Sequence, residues 1–286
     1  MRNKKKAALG FLFLAPSLLG VCIFVLIPFA DVVRRSFLDA MGNQFQGIGN
    51  YAAVLNNEAF RLAVGNTLRF LLVCIPLLLV FSLVCSLLIS RLKFFREFFK
   101  TTCLFPLAIP VASVVLLWRL CLDQNGFLNE GLQFLGRSTV NWMNSDCAFG
   151  VLVFTYLWKN IGYDMILWLA GLSAIPKERY EAAAVDGAGG WQSFRYITLP
   201  GLRSSVFVIA ILSLVNCFKV FREAYLIAGD YPHQSIYMMQ HLFNNWFVRL
   251  DMQKMTAASV LMALVMLGMM SGVWRYNERS SEWEEK

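Results

Sequence analysis

Apolar residues gather along this chain into six long runs, parted by shorter polar connections. A helix needs about 20 mostly apolar residues to cross a hydrocarbon core. The runs therefore predict an all-α membrane protein with six transmembrane helices, at 7–33, 67–90, 101–118, 148–172, 204–222 and 256–274. The first run, "AALGFLFLAPSLLGVCIFVLIPFA", follows "RNKKK" as a signal peptide would. It is too long for the apolar region of one and ends in no small-x-small cleavage site, so an uncleaved first span is expected. In the third run Pro106 and Pro110 predict kinks, whose freed carbonyls neighbouring helices can satisfy.

Cations set the orientation. Arg2 and Lys4 to Lys6 precede the first span, and Arg91, Lys93, Arg96 and Lys100 lie between the second and third. Lys177, Arg179, Arg195 and Arg203 lie between the fourth and fifth, and Arg275, Arg279 and Lys286 follow the sixth. The other side holds Arg34, Arg35, Arg61, Arg69, Arg119, Arg137, Arg249 and Lys254. The excess on the first side makes both termini, and the connection 176–200, cytoplasmic.

Composition agrees with a lipid solvent. Of 286 residues 58% are hydrophobic and 15% charged, and the mean hydropathy is +0.55. A soluble domain carries roughly a quarter charged residues. The net charge of +8 would suggest nucleic acid in a soluble protein, but these cations cluster between apolar runs, and no nucleic-acid role is expected. Cys22, Cys74, Cys85, Cys103, Cys121, Cys147 and Cys217 form no CxxC pair, and most sit in apolar runs as small hydrophobes. With His233 and His241 they make no metal-ligand spacing, so no metal is expected.

The connection 176–200 is unlike the others. Pro176 suits a first helical turn, and Glu178 and Glu181 favour the helix dipole. "YEAAAV" forms helix readily, and Gly187 stands where a terminal glycine at positive φ would stop it. Trp191, Phe194 and Ile197 predict a second short helix with one apolar edge, ended by Pro200. The small Ala182–Ala184 stretch admits another surface, while Glu181 and Asp186 offer carboxylates to a basic partner. From physics alone, a hairpin resting on lipid headgroups stays open.

"EAAAVDGAGGWQSFRYITLP" resembles the EAA motif of permease subunits in binding-protein-dependent ATP-binding-cassette (ABC) importers. Glu181, Ala182, Ala183, Gly187, Ile197, Leu199 and Pro200 keep every spacing of that motif. The resemblance extends through "FQGIGNYAAVL", "NTLRF", "LWRLCLDQNGFLNEGLQFLG" and "YLWKNIGYDMILWLAGLSAIPKERYEAAAVDGA", and is to the carbohydrate-uptake group of maltose-, lactose- and glycerol-phosphate-type permeases, with a MetI-like domain. It implies a type I ABC importer permease fold in a bacterial cell membrane. It also implies a second homologous permease subunit, two ATPase subunits and an extracytoplasmic solute-binding protein. Glu181, Ala182 and Ala183 would enter a groove on the ATPase, Glu181 meeting a basic residue there, with Asp186 and Gly187 as the stiff turn. No G-x-x-x-x-G-K-[ST] loop is present, so ATP and Mg would bind the partner, and the chain needs no cofactor of its own. A stand-alone secondary transporter or channel is the alternative, although no clear repeat relates the two halves. A membrane enzyme would need convergent titratable groups, which here are scattered.

Polar groups at membrane depth usually face a bundle interior or a water-filled path. Tyr156, Lys159, Asn160 and Asp164 in the fourth run and Asn216 in the fifth are therefore the candidates for a path taken by a sugar-like solute. Trp158 and Tyr163 lie beside them. Against this stand a structural Lys159–Asp164 pair, a snorkelling Lys159 and lipid-anchoring or packing roles for Trp158 and Trp168. Lys219, Arg222 and Glu223 read as interfacial, and 228–255, with Asp230, His233, Trp246 and Asp251, as a docking face for the external binding protein.

Overall fold

The computed structural model describes residues 13–281 except 40, 43, 93, 221–223 and 226–228. The first and fifth expected spans overrun that range, and Arg2, Lys4 to Lys6, Arg222, Glu223 and Ala228 lie outside it. The described residues are helical, with one isolated antiparallel bridge, Leu38 to Phe45. Two compact units are present, Met1–Arg61 with Phe243–Gly268 and Leu62–Leu242 with Met269–Lys286.

In the first unit, α1 (Phe13–Arg35) is long, apolar and unburied in the isolated chain, with a widened turn at Cys22–Leu26. The turn after it is closed by Asn50, on α2 (Gly49–Leu55), which donates to the carbonyls of Ser36 and Leu38 at 2.9 and 2.7 Å. Tyr51 adds a 2.6 Å contact with the Ser36 hydroxyl. Helix α3 (Glu58–Ser90) starts nine residues before the expected span at 67. Asn57 moves the start, because its side chain accepts from the Phe60 N–H at 3.0 Å and caps an earlier turn.

The third expected span is two helices, α4 (Arg96–Ala108) and α5 (Val111–Leu122). Of the two prolines only Pro110 breaks the chain. Ile109 before it is extended, at ψ 129°, as crowding by a following proline ring demands, whereas Pro106 sits inside α4. After α6 (Phe127–Phe134), the fully buried Asn129 side chain closes the loop onto Asp123, Val140 and Trp142.

The core of the second unit surrounds α7 (Cys147–Ala174), whose 28 residues extend about 42 Å at 1.5 Å each. Its polar residues Thr155 and Asp164 turn inward beside many of the buried apolar side chains. Helix α4 approaches it so closely that a Cβ on Gly162 would lie 1.9 Å from the Cys103 carbonyl oxygen. The hairpin follows as α8 (Lys177–Val185) and α9 (Gly190–Gly201, with a widened turn at Phe194–Thr198), then α10 (Arg203–Cys217). Pro200 does not end α9. The chain turns at Leu202, with 62° between α9 and α10.

Helix α11 (Met239–Val248) and α12 (Met252–Ser281) complete the chain, α12 exceeding the expected 256–274 at both ends. Asn66 donates to the carbonyls of Gln234 and Tyr237, and Thr67 accepts from Met239 N–H, tying the loop before α11 to α3. Trp246, expected on a docking face, is buried. Among the described residues four helical stretches are long and apolar enough to cross a membrane, Phe13–Arg35, Glu58–Ser90, Val111–Phe134 (α5 with α6) and Met252–Arg275, and α9 with α10 makes a fifth when taken as one bent span.

Replacing Gly162 by Ala should lower thermal stability in detergent by about 1–3 kcal/mol, the usual cost of overpacking, because backbone blocks the new methyl. His241, buried before α12 and accepting from Met238 N–H at 3.2 Å, has its pKa lowered to about 4 by burial, against an opposing pull from Asp230. Its neutral form therefore supports the fold above the ordinary histidine value. That support should fade as pH falls from about 6.5 through 4, by on the order of 2 kcal/mol at pH 5. A thermal-melt series over this range should be flatter for His241→Asn than for wild type.

Candidate functional site

The motif residues form a short hairpin with a defined stop and a fixed base. Helix α8 ends in a left-handed glycine cap: Gly187 takes φ +78°. Its N–H donates to the Ala184 carbonyl at 3.1 Å, and Ala188 N–H reaches back to the Ala183 carbonyl at 2.8 Å. This double bond pattern satisfies two terminal carbonyls that would otherwise need other partners. The predicted role of Gly187 is thus what the backbone adopts.

The base is held by a bond absent from the motif's own spacing. Tyr180 and Thr198 hydroxyls meet at 2.9 Å across the hairpin. Beneath them Trp168, Ile175, Leu202 and Ile209 form a buried cluster, with Tyr180 and Ile197 packed against it. Ile197 is therefore a root residue, while Leu199 and Pro200 are exposed. At the tip Glu181, Ala182, Ala184 and Asp186 are exposed and Ala183 is half-buried. Val185, Trp191 and Tyr196 are 88%, 74% and 75% exposed, an apolar surface beside Glu181, of which pattern reading singled out Trp191 alone. Of the expected apolar edge, Trp191 packs on Phe194 at 5.5 Å between ring centroids, and only Ile197 reaches the core.

The path candidates mostly converge. Tyr156, Lys159, Asn160 and Asn216 line one cavity of about 370 Å³, together with Leu107, Tyr163 and Val220. Tyr156 is fixed edge-on to Phe70 at 5.4 Å, its hydroxyl donating to the Ser213 carbonyl at 3.4 Å. Asn160 donates to the Tyr156 carbonyl at 2.8 Å. Two phenols, two amides and an ammonium beside aliphatic walls can satisfy hydroxyl groups while contacting C–H faces.

Asp164 does not join them. It is buried and accepts a 2.8 Å bond from the Ser213 hydroxyl on α10. Trp158 stacks edge-on with Trp118 at 6.1 Å, and the buried Trp168 donates to Ser82 at 2.9 Å. Both tryptophans pack within the helices.

A family model described as "Binding-protein-dependent transport system inner membrane component" matches residues 48–276. The arabinooligosaccharides transport system permease protein AraP of Bacillus subtilis is 34% identical over 232 residues, 78% of this chain and 72% of that protein. The trehalose/maltose transport system permease protein MalF of Thermococcus litoralis is 30% identical over 269 residues, 92% of this chain and 91% of that protein. Among solved structures, a chain of the bacterial alginate ABC transporter, in complex with an alginate pentasaccharide-bound periplasmic protein, is similar with a TM-score of 0.82. The match covers 97% of this chain and 96% of that one at 20% identity, a likeness of fold.

Gly187 has open space around it, so an added methyl would meet no atom and the cost of Gly187→Ala is conformational alone. It should amount to about 1–2 kcal/mol, the strain of a Cβ in the left-handed region. Amide hydrogen exchange at Ala183 to Ala188 should speed up accordingly, with α7 and α10 unchanged.

Proposed function

The chain belongs to the family of binding-protein-dependent transport system inner membrane components, and on that premise we propose that it is a permease subunit of an ATP-driven importer. It forms half of the translocation path for a sugar or related solute. The sugar and oligosaccharide permeases among its relatives support that solute class. Six spans cross a bacterial inner membrane: α1, α3, the broken pair α4 and α5, α7, α10 and α12. Both termini and the hairpin face the cytoplasm, an orientation that the Lys and Arg distribution supports.

A second homologous permease completes the path, two ATPase subunits hydrolyse ATP with Mg, and an extracytoplasmic binding protein delivers solute. The crystallised alginate importer, with its periplasmic protein, supports that last partner. Glu181, Ala182, Ala183, Asp186 and Gly187 engage the ATPase, while Ile197, Leu199 and Pro200 join the hairpin to the bundle. Tyr156, Lys159, Asn160 and Asn216, with Tyr163, contact solute in passage. Asp164 has a different task.

One observation carries this reading: an exposed helix of small residues bearing Glu181, stopped by a glycine cap and fastened at its root by the Tyr180–Thr198 bond. A surface of that kind transmits force without bending. ATP shifts the bundle only if the ATPase binds its two conformations with different strength.

Extraction of the tagged chain from its native membrane should copurify an ATPase. Glu181→Lys should weaken that association by about tenfold or more, the scale of one lost charge-assisted bond. Retention of the ATPase by Glu181→Lys, or labelling of position 181 from outside the cell, would overturn the assignment.

A further inference from the structure

Helices α7 and α10 pack antiparallel in a regular seam. Reading outward from the hairpin, a Cβ on Gly201 would come within 2.9 Å of Ile175, and one on Gly171 within 2.1 Å of Ser205. Trp168 and Ile209 then share one buried cluster. Asp164 meets Ser213, and Asn160 and Asn216 line the same cavity. From Gly171 to Asn160 on α7 and from Ser205 to Asn216 on α10 the members step three or four residues, so they lie on one face of each helix, while Ile175 and Gly201 meet just beyond the helix ends. The seam therefore runs from the root of the hairpin to the wall of the cavity.

Most of its contacts are apolar or involve glycine, and none of these is directional. The exception is the Ser213 hydroxyl donating to the Asp164 carboxylate at 2.8 Å, with both side chains buried. A hydrogen bond is directional, and a buried polar pair in a mostly apolar seam is the kind of feature that sets register between helices. Tyr156 adds a second hold on the same residue, through the Ser213 backbone carbonyl. The cavity residues lie one turn further on, Asn160 four residues from Asp164 and Asn216 three from Ser213.

We propose that Asp164 and Ser213 are positioning residues that lock α10 to α7 in one register, so that movement of the hairpin reaches both walls of the cavity together. This rests on the importer reading above. Asp164 touches no solute. Without the bond, α10 can slip along α7 while the hairpin moves, and the cavity wall lags behind. Residues Asp164 and Ser213 thus govern how much of the ATPase's motion arrives at the solute path, rather than whether the ATPase docks.

The test is hydrogen exchange with mass spectrometry on the copurified complex, nucleotide-free against trapped with ATP and vanadate. In wild type, exchange should change with nucleotide in peptides covering the hairpin, 177–200, and in those covering the cavity wall, 156–164 and 209–220. Ser213→Ala and, cutting the bond from the other side, Asp164→Leu should keep the hairpin response. Their cavity-wall response should shrink roughly fivefold, the factor one lost hydrogen bond gives. Asp164→Asn keeps an acceptor for the serine and should restore the wall response. A merely structural role would instead raise exchange in both nucleotide states and leave the difference between them intact. A full wall response in either cutting variant overturns the proposal and leaves the importer reading standing. If no hairpin response occurs even in wild type, the importer reading falls and the proposal falls with it.

Discussion

The structure depends on how closely α7 can be approached. In lipid no hydrophobic force drives one helix against another, since acyl chains are as apolar as leucine, so helices associate through tight packing and hydrogen bonds. Glycines on α7 make that packing available on two sides. Gly162 lets the backbone of α4 come against it, and Gly171 does the same for Ser205 of α10. Where contact is that close, buried polar groups can pair instead of meeting lipid, as Trp168 does with Ser82 and Ser213 with Asp164. Remove the approach and these groups would be stranded in a medium that cannot hydrate them.

The same geometry joins the two functional regions. The hairpin begins where α7 ends and runs back into α10, so the root cluster of Ile175, Tyr180, Ile197 and Leu202 is built from both sides of it. The tip is held by its own backbone through the glycine cap, and little of it is buried. Stiff element, anchored root and exposed tip make a lever, which the importer reading requires because ATP is hydrolysed on another polypeptide. The cavity lies further along the same two helices. In the importer reading force and solute would thus share one pair of helices.

Much of this was legible from residue order. The long apolar runs marked where helices lie, since only a helix satisfies its backbone in lipid, and the spacing from Glu181 to Pro200 marked the hairpin together with its family. Gly187 was legible for a local reason: a stop at positive φ is decided by the residue and its immediate neighbours. Boundaries were less so. The start of α3 was set by a side-chain cap at Asn57, and the break between α4 and α5 by Pro110 rather than Pro106, a choice that depends on the backbone each proline meets.

What the order of residues determined by itself was an all-helical membrane chain, its family, the hairpin and a set of polar residues too costly to leave facing lipid. Which of those polar residues face each other was decided only in three dimensions. Tyr156, Lys159, Asn160 and Asn216 came together in one cavity while Asp164, on the same helix as three of them, turned to Ser213. Tyr180 and Thr198 became partners across the hairpin without any periodicity to announce it. The physical reason is common to both: spacing along one helix fixes which face a side chain occupies, but its partner depends on the rotation and height of the neighbouring helix, and these are set by packing.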